Sequence, residues 1–175
     1  MNKRLKKKRA LAPKGGNDRV WTPPEVAQGI VDHFRPFGRC LEPCKGPGTG
    51  AFVVALMNAG LEDVEWCEID EGRDFLTHEE TGYDWVVTNP PWSQFRPFLA
   101  KSMQVADNVV FLALLNAWFM KARVADMRAA GFGLVEALLL PTPAKPWPQT
   151  GFQLAAVHAR RDYEGPMTFD SSMML

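Results

Sequence analysis

Tyr83-Asp84-Trp85-Val86-Val87-Thr88-Asn89-Pro90-Pro91-Trp92 is the stretch that decides how this chain is read. Apart from Asp84, its first six residues are β-branched or aromatic, as in a buried strand. An amide, two prolines and an indole follow at that strand's carboxyl end. Each proline fixes φ and removes a backbone N–H, so carbonyls there can face a ligand without a competing donor. The Asn89 side-chain oxygen and the Pro90 carbonyl are suited to accept both protons of one planar NH2 group. Trp92 is suited to stack on the ring bearing that group, as aromatics do with unstacked bases. This is chemistry for an exocyclic amine on a nucleobase. The bland alternative is a rigid loop closing a strand.

Outward from this stretch, strand and helix patterns alternate. Thr22-Pro23-Pro24-Glu25 opens a helix that Thr22 is expected to cap, with Val26, Ile30, Val31 and Phe34 on its apolar face. Residues 39–42 form a short strand running into a glycine-rich loop, 51–59 a helix stopped by Gly60, and 63–69 a second strand. Beyond Trp92 come a helix (95–106), an apolar strand (108–115), a helix (122–130) ended by Gly131, and strands over 134–140 and 152–160. The alternation implies a mostly parallel sheet with helices on both faces. No helix fits between the last two strands, so they are expected to pair antiparallel. Residues 1–16 read as a disordered basic arm, residues 17–161 as one domain, and 162–175 as a loose tail.

Three further stretches bear on a ligand. In Leu41-Glu42-Pro43-Cys44-Lys45-Gly46-Pro47-Gly48-Thr49-Gly50, glycines between strand and helix let backbone approach a ligand and leave helix N–H groups free. Glu42 argues against a phosphate there, which its carboxylate would repel, and suits a cationic group. Glu68, in Trp66-Cys67-Glu68-Ile69-Asp70, ends the second strand where an acidic residue accepts from the ribose hydroxyls of a nucleoside. Trp21-Thr22-Pro23 stands at the start of the first helix, whose dipole favours an anion.

Asn89-Pro90-Pro91-Trp92 after a hydrophobic strand resembles the catalytic motif of amino-methyltransferases, above all the N6-adenine methyltransferases. The resemblance covers about residues 17–160, since other motifs of the family stand around it in order. It implies a Rossmann-like fold and S-adenosylmethionine as cofactor. The catalytic residues are then Asn89, Pro90, Pro91 and Trp92. The loop resembles an acidic-Pro-x-x-Gly-x-Gly pattern; either Gly46 and Gly48 or Gly48 and Gly50 occupy its two places, with Glu42 and Pro43 ahead of them. Glu68, or else Asp70, matches the family's ribose acceptor. Asp74-Phe75-Leu76 resembles its adenine-recognition motif, with Asp74 accepting from the cofactor's amine and Phe75 beside the ring. Only five residues separate Glu68 from Asp74, so the family's third strand is expected to be short or absent. Trp21-Thr22-Pro23 resembles the segment that closes over the methionine carboxylate.

Net charge is zero, but unevenly spread: residues 1–20 hold eight Lys/Arg against Asp18 alone, and the other 155 hold 12 Lys/Arg against 19 Asp/Glu. An acidic body with a basic arm suits tethering of a polyanion, with Lys6, Lys7, Lys8 and Arg9 on phosphates and binding that weakens steeply with salt. The alternative is a solubilising tail. Lys145 and Trp147, in the proline-rich loop 141–151, are further candidates for nucleic-acid contact. Cys40, Cys44 and Cys67 lack metal-ligand spacing and suit a reducing cytoplasm, bacterial or phage-infected. His33, His78 and His158 are scattered and read as structural, so no metal is expected. No apolar run approaches a membrane span.

The family reading is thus an adenine-N6 methyltransferase on DNA, with little or short sequence specificity and room for a partner subunit that recognises the target. An RNA adenine-N6 methyltransferase, a protein glutamine methyltransferase and a catalytically silent S-adenosylmethionine-binding subunit remain open.

Overall fold

The computed structural model describes residues 18–174. The arm expected over 1–16, with Lys6, Lys7, Lys8 and Arg9, lies outside the described residues. Strand β3 (Tyr83–Thr88) is central because both its faces are apolar. Trp85 and Val87 enter one layer of the core and Val86 the other, the two-residue alternation of a strand covered on both sides. The remaining strands are β1 (Cys40–Glu42), β2 (Val64–Trp66), β4 (Ala106–Leu114), β5 (Phe132–Leu140), β6 (Leu154–Arg161) and β7 (Thr168–Asp170). They run in the order β2-β1-β3-β4-β6-β5-β7. Only β6 is reversed, antiparallel to β4 and to β5. The other pairings are parallel. The reversed strand follows the helix-free connection, as expected.

Helices α1 (Pro24–Phe34) and α2 (Ala51–Asn58) cover one face; α3 (Phe95–Val105) and α5 (Lys121–Ala129) cover the other. On α1, Ala27, Ile30 and Val31 face inward at helical spacing. Thr22 does not cap this helix. Pro23 holds the cap position, and its carbonyl accepts from the N–H groups of Val26 (3.0 Å) and Ala27 (3.1 Å). Pro24 fills the first turn, where a proline has no N–H for a hydroxyl to satisfy. Short α4 (Leu115–Trp118) takes over where the strand was expected to continue to residue 115. Beneath it, Phe95, Phe111 and Trp118 meet with ring centroids 5.2–5.8 Å apart. Burial of each such ring contributes about 1.5–3 kcal/mol.

Between β2 and β3 there is no strand, only two 3-10 turns, Ile69–Glu71 and Phe75–Thr77, so β2 is the sheet's edge. The opposite edge corrects the expectation of a loose tail. Thr168–Asp170 pairs with β5, Glu136 opposite Thr168 and Leu138 opposite Asp170. His33 on α1 helps hold it, with Nε2 3.1 Å from Glu136 and Nδ1 3.9 Å from Asp170. Met173 packs on the α1 layer. His158 is structural as read: it stacks on Trp85, its Nε2 lies 3.0 Å from Asn108 Oδ1, and burial lowers its pKa to about 4, leaving it neutral.

Candidate functional site

From β1 the chain crosses to β2 on one side, and β3 then lies on the other. The crevice at the carboxyl ends of β1 and β3 is therefore a topological switch point, where open α/β sheets bind ligands. The glycine loop and the Asn-Pro-Pro-Trp loop both open there, residues 43–50 from β1 and 89–92 from β3.

Asn89 is held in one orientation. Its Nδ2 donates to the Val20 carbonyl at 3.0 Å. Only the amide nitrogen can donate to a carbonyl, so the oxygen is turned the other way. That Oδ1 is buried and has no hydrogen-bond partner among the described residues. An unmet buried acceptor costs about 1–3 kcal/mol, which a ligand N–H would recover. None of the described donors bonds the buried Pro90 carbonyl. Pro91 starts the turn Trp92–Gln94 by accepting from the Gln94 N–H at 2.8 Å. Cys44 ties the two loops together, its Sγ 2.9 Å from Thr88 Oγ1 and 3.3 Å from the Asn89 carbonyl.

Glu42 lies at the floor of the crevice, only 2% exposed. It accepts from the Cys44 N–H at 2.9 Å and from the Thr88 hydroxyl. Burial pushes its carboxyl up to about 8 against the lowering effect of those donors, and no cation among the described residues opposes the rise. Pro43 beside it is buried. Glu68 bridges loop and strand end: one oxygen accepts from the Gly46 N–H at 2.7 Å, the other from Asp70 at 3.1 Å. Ile69 next to it is 65% exposed. Asp74 caps its own turn through the Leu76 N–H at 3.0 Å. Phe75 is 2% exposed and packs on Phe98, so it belongs to the core rather than to an open ligand face.

The loop glycines differ. Gly46 has φ 74°, and a Cβ there would lie 3.1 Å from the Trp21 ring. At Gly50, φ 75°, a Cβ would lie 2.7 Å from the Lys45 carbonyl oxygen. Gly48, φ 64°, faces open space. Trp21 belongs to a strap over the crevice, a unit that no local pattern in the sequence marks. Asp18 accepts from the Ser93 N–H and hydroxyl, Arg19 pairs with Asp70 at 3.1 Å, and Val20 holds Asn89. Thr22 is half-buried with no described side-chain hydrogen bond. These contacts are between residues far apart in sequence, so composition gives no sign of them. The same is true of Cys44 and Thr88.

Trp147 does not face solvent as a nucleic-acid contact would. It is 4% exposed, within the α1–α2 layer, and meets Trp92 edge to face at 6.2 Å. Lys145, two residues away, is exposed. An indole at a proline-rich loop reads as a surface contact, but here it buttresses the motif's own aromatic. Trp92 also lines a cavity of about 220 Å3 with Phe95, Leu114 and Met120. One trio has atoms close enough to hold a metal ion, His33, Glu136 and Asp170, all within 4.8 Å. There the imidazole has a carboxylate at each nitrogen, which suits an ion-pair bridge better than a shell turned toward one point. No helix among the described residues is long and apolar enough to cross a membrane.

No family model matches this sequence, and no curated protein matches it by sequence. Solved structures do match in fold. A candidate RNA methyltransferase from Pyrococcus horikoshii is 17% identical with TM-score 0.58, covering 80% of this chain and 84% of that one. The modification subunit of a candidate type I restriction enzyme from Vibrio vulnificus YJ016 is 15% identical with TM-score 0.57, covering 84% of this chain and 45% of that one. The 23S rRNA methyltransferase ErmE is 18% identical with TM-score 0.53, covering 83% and 72%. The chain has the class I methyltransferase fold. As the short spacing led us to expect, no strand lies between Glu68 and Asp74, and β7 lies at the opposite edge of the sheet, beside β5.

Proposed function

We propose that this chain is an S-adenosylmethionine-dependent methyltransferase acting on the exocyclic N6 amine of adenine in DNA, with little or short sequence preference. The observation that carries the reading is Asn89: its nitrogen is committed to Val20, and its oxygen is buried and unbonded at the switch point. An acceptor so placed has no N–H among the described residues, and a ligand amine would supply one.

The residues of the crevice fit the cofactor. Glu42 is a buried carboxyl with no cation beside it among the described residues, and a sulfonium and an ammonium would supply one. Glu68 keeps lone pairs for ribose hydroxyls beside the exposed Ile69, whose apolar side chain suits the face of a base. Gly48 leaves the loop backbone open for a ligand to approach, and Trp21 closes over Gly46. Asp70 and Asp74 already hold partners and take supporting parts.

S-adenosylmethionine bound there supplies a methyl group already activated on sulfur. The chain's own contribution is electrostatic and positional. Asn89 Oδ1 and the Pro90 carbonyl accept the two amine protons, draw the nitrogen lone pair out of ring conjugation and stabilise positive charge developing on N6. Trp92, braced by Trp147, holds the ring. The methylated ammonium loses its proton to water. On duplex DNA the adenine flips out of the stack to reach this site.

The likeness in fold to a type I modification subunit supports DNA and a partner subunit for target recognition. The likeness to proteins named as RNA methyltransferases favours RNA as the second reading. The test is Asn89→Ala. It is expected to lower kcat by about 100-fold or more while cofactor affinity, measured by calorimetry, stays within about threefold. Loss of cofactor binding in step with activity would refute the role of Asn89.

A further inference from the structure

Four groups are strung on hydrogen bonds where the two loops meet: the Glu42 carboxyl, the Thr88 hydroxyl, the Cys44 thiol and the Asn89 carbonyl. Thr88 donates its one hydrogen to Glu42 Oε1, and the Cys44 N–H donates to the same oxygen at 2.9 Å. The Cys44 thiol has one hydrogen and two acceptors within reach, Thr88 Oγ1 at 2.9 Å and the Asn89 carbonyl at 3.3 Å. Burial raises the thiol well above its ordinary range, so that hydrogen stays on sulfur. Glu42 is 2% exposed and Thr88 0%, so bulk water does not compete along this run.

Which acceptor takes the thiol hydrogen depends on Glu42. In the free protein at neutral pH, burial keeps this carboxyl protonated. Both donors stand on Oε1, so the proton sits on the other oxygen, and Oε1 is a neutral acceptor that draws only weakly on the Thr88 hydroxyl. A carboxylate draws harder, because a hydrogen bond to an ionised group is about twice as strong as a neutral one. A hydroxyl whose hydrogen is drawn away becomes a better acceptor at its own oxygen. Ionised Glu42 therefore pulls the thiol hydrogen toward Thr88 and off the Asn89 carbonyl.

We propose that Thr88 and Cys44 are positioning residues that relay cofactor binding at Glu42 to the backbone of Asn89. A cation seated on Glu42 expels its proton to solvent, Thr88 tightens on the carboxylate, and the thiol turns to Thr88. The peptide carrying the Asn89 amide is held by the thiol in the free protein and released to settle on a substrate amine once the cofactor is in place. This rests on the readings of Glu42 and Asn89 above and adds a coupling between them. By linkage, bound substrate tightens the cofactor by the same factor.

The S–H stretching band of Cys44 reads this relay directly, in infrared difference spectra of the full-length chain and identified by its loss in Cys44→Ser. Saturation with S-adenosylmethionine, checked by calorimetry, is expected to shift the band of the wild type. Thr88→Val has nearly the same shape and no hydroxyl, and there the cofactor is expected to leave the band in place. Thr88→Ser keeps the hydroxyl and is expected to restore the shift. In methyl transfer to DNA, kcat is expected to fall about tenfold in Thr88→Val and to stay within about threefold of the wild type in Thr88→Ser. An unshifted wild-type band with cofactor bound would overturn the relay and leave the readings of Glu42 and Asn89 standing. The same shift in Thr88→Val, or an unchanged kcat there, would overturn it too. If Thr88→Val does not fold, the wild-type band decides. A wild type that binds no S-adenosylmethionine would overturn the relay and the cofactor reading together.

Discussion

Replacing Glu42 by glutamine should shift stability toward the variant as pH rises from about 5 to about 8. In the folded chain the Glu42 carboxyl is pushed by burial from 4.5 to about 8. At about 1.36 kcal/mol per unit, ionising it in place costs about 5 kcal/mol, comparable to the whole stability of a small domain. Below pH 4.5 the carboxyl is protonated in both states and contributes nothing. Between 4.5 and about 8 the unfolded chain has released its proton and the folded chain has not, so stability falls as pH rises. Above about 8 both states are ionised and the deficit stays at its full size. At pH 7 it stands at about 3 kcal/mol. Glutamine keeps an oxygen for the Thr88 hydroxyl and the Cys44 N–H. It also adds a buried NH2, which offsets about 1–3 kcal/mol at every pH. The pH slope is therefore the decisive quantity. Urea denaturation from pH 5 to 9 should show the stability difference, variant minus wild type, growing by several kcal/mol up to about pH 8 and then levelling. Calorimetry should show S-adenosylmethionine affinity of the wild type rising toward pH 8, because binding a cation expels the Glu42 proton, and that of the variant staying flat. Parallel stability curves for the two proteins would refute this reasoning.

The cofactor loop should discriminate between its glycines. Gly50→Ala meets the Lys45 backbone at positive φ and is expected to cost more than about 2 kcal/mol, read as a lowered Tm, and to remove cofactor binding. Gly48→Ala, strained only by its φ, is expected to cost about 1–2 kcal/mol; equal effects would refute the difference in their surroundings. Removing residues 168–175 should lower Tm by exposing the β5 edge and the α1 layer beside Met173, while an unchanged Tm would deny β7 a structural part. Removing residues 1–16 takes away seven Lys/Arg and should flatten the dependence of DNA affinity on log salt, by about 0.9 for each phosphate that the arm neutralises. An unchanged slope would make the arm a solubiliser only.

The sheet's centre and the two loops were legible because strong local patterns carry them. The Tyr83–Thr88 run, the glycines after Glu42 and the helix-free connection 141–151 each have few structural solutions. What stayed hidden depends on contacts between distant segments. β7 is a three-residue edge strand with Thr168 and Phe169 exposed, so no alternation marks it. Trp147 and Phe75 carry no local sign of whether they face solvent or core; Trp92 and Phe98, far from them in sequence, decide it. Thr22 follows a rule for helix caps that the adjacent prolines override. The orientation of Asn89 hangs on the Val20 carbonyl, 69 residues earlier in the chain, and no motif could have shown it.

Nucleoside analysis after methyl transfer tests the proposed reaction most directly. The full-length chain is incubated with labelled S-adenosylmethionine and, in parallel, unmodified double-stranded DNA, single-stranded DNA and total RNA, each then digested to nucleosides. Label is expected in N6-methyladenine, in DNA and not in RNA. Label in RNA alone would move the substrate and keep the chemistry. Label on a different atom, or none in any pool while S-adenosylmethionine is bound, would contradict the assignment of Asn89 as the acceptor for an adenine amine.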